Sequence, residues 1–109
     1  DILKGMEHPV PDAVAVCDHG MDLHGVSGPG RKTGAYPIPF GCLCPVKYDT
    51  LLIAGRCAGF SSLAASSCRL SRTMMQLGET AGKAAAIAFR KHCDFTGIDG
   101  TESGLSSIE

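Results

Sequence analysis

The stretch TMMQLGETAGKAAAIAFRK, residues 73–91, decides the fold, because its side chains repeat with the period of a helix. Thr73 and Gln76 fit a capping box, in which two side chains satisfy backbone N–H groups of the first turn. Lys91 and His92 end the segment, where the helix dipole favours cations. Polar residues share one face: Gln76, Glu79, Lys83 and Arg90. Small and apolar residues share the other, which we expect to be buried: Met74, Gly78, Ala81, Gly82, Ala85, Ala88 and Phe89.

Two glycines inside this helix need an explanation, because each costs about 1 kcal/mol relative to alanine. The sequence GETAGKAAAIA, residues 78–88, is close to a nucleotide-binding P-loop. It is one residue too short, however, and it has Ala84 where the loop needs a hydroxyl for magnesium. We therefore reject an NTPase. Gly78 and Gly82 then indicate close packing on a neighbouring strand, and such packing would also let the helix aim its N-terminus at a ligand.

The other segments with a clear pattern are extended. The apolar run LLIAG, residues 51–55, is typical of a strand buried on both faces. DAVAVC, residues 12–17, is the candidate strand of the N-terminal part. In YPIPFGCLCP, residues 36–45, the prolines favour extended backbone. The polar stretch at residues 56–72 is expected to be a functional loop.

Length and charge limit the class of protein. The chain has 109 residues, 44% of them hydrophobic and 19% charged, which fits one small folded domain. Its net charge of −1 gives no electrostatic reason to bind nucleic acid or an anionic membrane. No apolar run approaches the roughly 20 residues that a membrane helix needs. We therefore expect neither a nucleic-acid partner nor a membrane.

The six cysteines have irregular spacings, which argues against a disulfide framework. We expect free, mostly buried thiols, which would favour a cytoplasmic location. Cys42 and Cys44 are too isolated for a zinc site. A second cluster, from Cys17 to His24, matches no tetrahedral zinc pattern either, and a polar loop is the simpler interpretation. We predict no metal.

A strand ending in AGR, a small-residue loop and a capped helix with Gly-x-x-x-Gly form a recognisable set. The stretches TLLIAGRC (50–57), SSCRLSRTMMQLGETAGKAAAIA (66–88) and YPIPFGCLCP resemble the C-terminal segment of FAD-dependent oxidoreductases of the glutathione-reductase-like flavoprotein superfamily. DAVAVCDHGMDLHG, residues 12–25, resembles a segment of that family ending in Asp-x-His. The resemblance spans residues 12–91.

The resemblance implies a fold and a set of contacts. Residues 51–55 would be the last strand of the FAD-binding sheet, and the helix N-terminus would face the pyrimidine edge of the isoalloxazine. The residues that the resemblance assigns to FAD contacts are Gly55, Arg56, Cys57, Arg69, Leu70, Ser71, Arg72, Thr73 and Met74. Asp22 and His24 would face the substrate side of the flavin, where His24 moves a proton.

The sequence also departs from the family. Ser62 and Leu63 stand where relatives often carry His-Glu, and Arg72 replaces a usual proline. The Gly-x-Gly-x-x-Gly motif that binds the ADP half of FAD in the family is missing. We therefore expect a C-terminal fragment that would not bind FAD tightly alone.

We therefore predict an α/β fold, or α+β as an isolated fragment, that forms the C-terminal part of an FAD/NAD(P)-binding fold. Residues 1–50 would end the substrate domain, 51–91 would form the strand–loop–helix of the FAD-binding domain, and 92–109 a flexible tail. The expected partners are FAD, a small-molecule substrate of unassigned identity and the remainder of the parent chain. The alternative is a small non-enzymatic α+β module that binds a protein or a polysaccharide.

Overall fold

The computed structural model describes residues 2–22 and 34–108. In chain order its elements are a 3-10 segment at Ile2–Glu7, strand β1 at Ala13–Cys17, strand β2 at Tyr36–Pro39, 3-10 turns at Phe40–Leu43 and Gly55–Cys57, the short helix α1 at Ser62–Ala65, the long helix α2 at Ser71–Lys91, and a 3-10 turn at Phe95–Gly97. The structure is thus a small mixed α/β arrangement. The predicted long helix is confirmed, and it begins two residues earlier than expected.

The sheet consists of β1 and β2, which pair antiparallel with Cys17 opposite Tyr36 and Ala13 opposite Pro39. The register shifts between Ala13 and Ala15, as at a β-bulge. The predicted strand at residues 12–17 is confirmed as β1. The extended stretch at 36–45 forms β2 and then turns into the 3-10 turn at Phe40–Leu43.

The core lies between this sheet and α2. Leu77 and Ala84 of the helix are fully buried, and Ile87 is almost so. These three positions recur at helical spacing and pack with residues of the strands and of the following segments. The buried hydrophobic residues they join include Val14, Ala15, Cys17, Tyr36, Ile38, Phe40, Leu43, Cys68, Ile98 and Leu105.

Polar side chains of α2 dock the helix onto the backbone of β1. Gln76 Oε1 accepts from Val16 N at 2.8 Å, and Thr73 Oγ1 donates to Val16 O at 3.4 Å. One turn further along, Thr80 Oγ1 donates to Val14 O at 3.3 Å. The predicted capping box is therefore wrong, because Thr73 and Gln76 satisfy the edge of a strand instead of the helix's own first turn. Leu70 is the N-cap residue, and its side chain makes no capping hydrogen bond.

The buried face of α2 also differs from the prediction. Its buried residues are Thr73, Leu77, Thr80, Ala84 and Ile87, whereas Gly78, Gly82 and Ala85 are exposed and Phe89 is 81% exposed. A Cβ added at Gly78 or Gly82 would meet no atom within 4 Å. The larger apolar side chains and the hydrogen bonds to β1 determine which face is buried here. Glu79 and Lys83, which were predicted to share the polar face, form an ion pair with Lys83 Nζ 2.9 Å from Glu79 Oε1.

The predicted buried strand at residues 51–55 is not formed. The segment has no strand assignment up to Ala54, and Leu51 is 46% exposed. Ile53 N donates to Leu43 O at 2.8 Å, but the two strands of the described chain pair with one another and not with this segment. A strand buried on both faces needs neighbours on each side to complete its ladder. The FAD/NAD(P)-binding fold consequently remains a prediction.

The C-terminal tail, predicted to be flexible, folds back onto α2 and β1. Leu105 is fully buried, and Ser107 N donates to Val14 O at 3.0 Å. Lys91 Nζ lies 2.6 Å from a carboxylate oxygen of Glu102. The Gly- and Ser-rich composition suggested fraying, but Ile98 and Leu105 give the tail enough apolar surface to join the core.

Candidate functional site

An open groove lies at the N-terminal end of α2. The 3-10 turn at Gly55–Cys57 contacts the helix there, and the groove between them has a volume of about 450 Å³. Gly55, Arg56, Ser71, Met74 and Met75 line it. Ser71, Met74 and Met75 belong to the first turns of the helix, and the other two come from the turn that follows residues 51–54.

Gly55 shapes the wall of this groove. Its φ of +77° lies in the left-handed region, which glycine adopts without strain and other residues rarely do. A Cβ at this position would meet no atom within 4 Å, so the backbone is open to the groove. A ligand can therefore approach the main chain of Gly55 closely.

The start of α2 adds a positive potential from the helix backbone to this groove. Backbone N–H groups of a first helical turn have no partner inside the helix, and the dipole places about half a positive charge there. The N-cap side chain leaves these groups uncapped, and the first turn contains no acidic residue. Helix ends of this kind favour anionic groups.

Three arginines surround this helix start and have different partners. Arg69 pairs with Asp22, with Arg69 Nη2 2.5 Å from a carboxylate oxygen, and Arg72 pairs with Asp18 at 2.7 Å. Arg56 Nε donates to the backbone oxygen of Arg69 at 3.2 Å. Among residues 2–22 and 34–108, no carboxylate pairs with Arg56. Its charge is thus the one of the three that the described chain leaves without an acidic partner.

The two ion pairs fix the loop after β1 against the helix start. Asp22 N also donates to Ser66 O at 3.4 Å, and the Ser67 hydroxyl donates to His19 O. Asp18 and Asp22 are therefore held beside α2, although 54 and 47 positions separate them from their arginine partners. Sequence reasoning assigned no role to Asp18.

The structure brings part of the predicted site together. Of the residues predicted to contact FAD, Gly55, Arg56, Ser71 and Met74 line the groove. Arg69, Leu70 and Arg72 adjoin it along the chain, and Cys57 is exposed in the 3-10 turn. Thr73 is buried and turned toward β1, away from solvent. Of the predicted catalytic pair, Asp22 is engaged with Arg69, and His24 lies outside the described residues.

Met75 was missed by the sequence reasoning. It is 72% exposed and lines the groove beside Met74. The signal was available, because Met75 stands four positions after Ser71 and so shares a helix face with it. The polarizable thioethers of Met74 and Met75 offer an apolar surface next to the positively charged Arg56.

Two other kinds of site were tested in the part of the chain that the structure describes. No group of three or more His, Cys, Asp or Glu side chains there is arranged to hold a metal ion. None of the helices in those ranges has the length and apolarity to span a bilayer. All six thiols are unbridged; Cys17 and Cys68 are buried as expected, but Cys57 is exposed.

Comparison with known proteins identifies the family. A model of the family described as FAD dependent oxidoreductase matches residues 1–104. Neither the curated proteins nor the solved structures yielded a match. The match covers nearly the whole chain and gives no support to the alternative of a non-enzymatic binding module. The family implies FAD as the cofactor of the parent protein. The chain belongs to the FAD-dependent oxidoreductase family.

Proposed function

We propose that this chain is the C-terminal portion of a longer FAD-dependent oxidoreductase, and that the groove at the start of α2 contacts the cofactor. The observation that carries the proposal is the combination of Arg56, without an acidic partner in the described chain, and an uncapped helix N-terminus on one groove. Both features attract anions, and FAD carries a pyrophosphate and an electron-rich pyrimidine edge.

The residues of the groove fit such a ligand. Gly55 leaves its backbone open to close approach, and the Arg56 guanidinium can donate to phosphate or ribityl oxygens. Ser71 and the amides of the first helical turn can donate to the pyrimidine edge, while Met74 supplies apolar contact. Leu70, Arg72 and Cys57 would border the ligand, and Thr73 would contribute through its backbone alone.

Arg69 has a positioning role in this proposal. Its side chain pairs with Asp22, and its carbonyl accepts from Arg56. One residue therefore connects the loop after β1 with the arginine of the groove. The Arg69–Asp22 pair is partly exposed and therefore contributes little to stability, but it holds the Arg69 side chain in place.

Bound FAD would supply the redox chemistry by accepting a hydride from a small-molecule substrate. The chain's own residues orient the ring and set the charge around it. The sequence further supports a proton-transfer role for His24, with Asp22 near it along the chain. Replacing His24 by alanine should remove a limb of the pH–rate profile of the intact enzyme. An unchanged profile would eliminate this role.

The remainder of the parent chain is the proposed covalent partner of this segment. Leu51 is 46% exposed and Phe89 is 81% exposed, so both offer apolar surface for it to cover. Residues 51–54 have no regular secondary structure and lie outside the two-stranded sheet of the described chain. We propose that the FAD-binding sheet of the parent provides strand neighbours for them.

The proposal is tested in the intact, FAD-loaded enzyme with Arg56→Met, which keeps the length of the side chain and removes its charge. A charge-assisted hydrogen bond contributes about 1.5–3 kcal/mol, so the Kd for FAD should rise roughly tenfold to a hundredfold. Arg90→Met is the matched control, because Arg90 is exposed in the last turn of α2, at the opposite end from the groove. Equal affinities for both variants would refute a role of Arg56 in FAD binding.

A further inference from the structure

A second cluster of polar side chains lies inside the fold and has no part in the groove. Cys17 at the end of β1 and Cys68 before α2 are 0% and 2% exposed. The sheet register places Cys17 opposite Tyr36, and Ser67 directly precedes Cys68, so both thiols belong to one hydrogen-bonded cluster. Cys17 Sγ is 3.3 Å from Ser67 Oγ, and Cys68 Sγ is 3.0 Å from the hydroxyl of Tyr36. The two cysteines thus form a buried dithiol with two hydroxyl groups around it.

A cavity leads to this dithiol. It has a volume of about 330 Å³, and its mostly apolar wall includes Val10, Ile38 and Phe60. Cys68 and Tyr36 line the same cavity, so the cavity reaches the cluster that contains both thiols. Cys42 lines it as well and provides an internal comparison.

The hydrogen bonds make the two thiols chemically unequal. Hydrogen bonding with Cys68, and to a lesser extent with Ser67 and Tyr36, lowers the pKa of Cys17 to about 5 against the effect of burial. The same interaction with Cys17 raises the pKa of Cys68. The pair therefore carries one thiolate at neutral pH, and a thiolate is the nucleophile in thiol oxidation. Burial raises the pKa of Cys42, which keeps that thiol protonated.

We infer that Cys17 and Cys68 are a redox modification site, where a small hydroperoxide entering the cavity converts the two thiols into a reversible disulfide. The bridge would join the end of β1 to the residue before Arg69. It would thus cross-link the loop that carries Asp18 and Asp22 to the start of α2. This inference does not depend on the flavin.

The reaction balances with hydrogen peroxide as the oxidant. The Cys17 thiolate attacks one peroxide oxygen; the S–O bond forms, the O–O bond breaks, and hydroxide leaves and takes a proton from solvent. The thiol of Cys68 then attacks the sulfenic sulfur of Cys17. The S–S bond forms, the S–O bond breaks, and the Cys68 proton leaves with the hydroxyl as water. Two thiols are oxidised by two electrons, and one peroxide is reduced to two waters.

The test uses the full-length protein with the exposed thiol removed by Cys57→Ser. The folded protein is treated with equimolar hydrogen peroxide, unfolded, alkylated and mapped by mass spectrometry. We expect the peptides of Cys17 and Cys68 to be joined and to separate on treatment with dithiothreitol, and Cys42 to be alkylated. Protein treated with hydrogen peroxide in urea is the control. Because it is unfolded, the preference for a bridge between Cys17 and Cys68 should be lost.

Three results would overturn the inference. The first is full alkylation of Cys17 and Cys68 after peroxide treatment of the folded protein. The second is a bridge between Cys42 and Cys44 in place of the expected one. The third is oxidation of Cys17 to the sulfinic acid without any bridge, which would show that Cys68 does not reach the sulfenic sulfur. The variant Cys17→Ser should abolish the bridged peptide. If the Cys17→Ser variant does not fold, the peptide map of the Cys57→Ser protein still shows whether the bridge forms.

Discussion

Replacing Gln76 by methionine tests how α2 is held on β1. The side chain keeps its length and its helix propensity but loses the oxygen that accepts from Val16 N at 2.8 Å. Val16 stands opposite Pro37, which has no N–H group. The carbonyl of Val16 already accepts a hydrogen bond from Thr73. The partly buried N–H group of Val16 would be left without its acceptor. Leaving such a donor unsatisfied costs about 1–3 kcal/mol.

The assay is urea denaturation followed by circular dichroism, with amide exchange at Val16 as a local readout. The free energy of unfolding should fall by about 1–3 kcal/mol, which lowers the urea concentration at the midpoint. In a parallel thermal scan, the melting temperature should fall by about 4 °C or more for a domain of this size. Gln76→Glu is the matched control, since it retains an acceptor oxygen and should be destabilised much less. If both variants unfold at the same urea concentration, or Val16 exchanges no faster in the methionine variant, the hydrogen bond does not dock the helix.

Three further predictions concern the tail, the Gly55 turn and the buried thiolate. Leu105→Ala should cost about 2–5 kcal/mol in urea denaturation, against well under half of that for Leu63→Ala, which is 41% exposed; similar costs would mean that the tail is not packed. Gly55→Ala places alanine at a φ of +77° and should destabilise by about 1–2 kcal/mol in thermal unfolding, whereas Gly41→Ala, also in open space, should be neutral or slightly stabilising; the reverse order would contradict the turn geometry. The pKa of the Cys17 thiol is lowered to about 5 in the folded state, so the ionised side chain stabilises the folded protein. This stabilisation is complete only above the unfolded-state pKa near 9.0 and disappears as pH falls to 5. The ultraviolet absorbance of a thiolate should therefore vanish with a midpoint near pH 5 and be missing from Cys17→Ser; a midpoint above pH 8 would contradict the hydrogen-bonded cluster.

The local elements could be predicted from the sequence, but their partners could not. The helical period of α2 and the apolar pattern of β1 are properties of neighbouring residues, and both elements were confirmed. The burial of Thr73 and Thr80 depends instead on backbone atoms of β1 that are 57 and 66 positions away. No local pattern contains that information. Thr73 therefore suggested a capping role, and Thr80 was assigned to neither face.

The glycines of α2 show a second limit. Small residues at helical spacing indicate that a close approach is possible, but they do not show on which side it occurs. Leu77 and Ile87 bury more apolar area than the glycine and alanine positions offer, so they decide which face meets β1. The apolar run at residues 51–55 predicted a strand, but a strand forms only where neighbouring strands pair with it. The described chain provides no such neighbours.

The candidate site was partly predictable for a related reason. Gly55, Arg56 and Ser71 were singled out because the stretches that contain them resemble segments of FAD-dependent oxidoreductases. The structure adds that these residues share one groove. The pairing of Arg69 with Asp22, and that of Arg72 with Asp18, required the loop after β1 to be placed beside α2. Cys17 and Cys68 were expected only to be free and mostly buried, since their proximity is visible only in three dimensions.

The most direct test of the central claim is an experimental structure of the intact, FAD-loaded enzyme. We predict that the cofactor lies against Gly55 and the first turn of α2, with the guanidinium of Arg56 within hydrogen-bonding distance of its phosphate or ribityl oxygens. FAD bound elsewhere, with this groove filled by protein or open to solvent, would contradict the account.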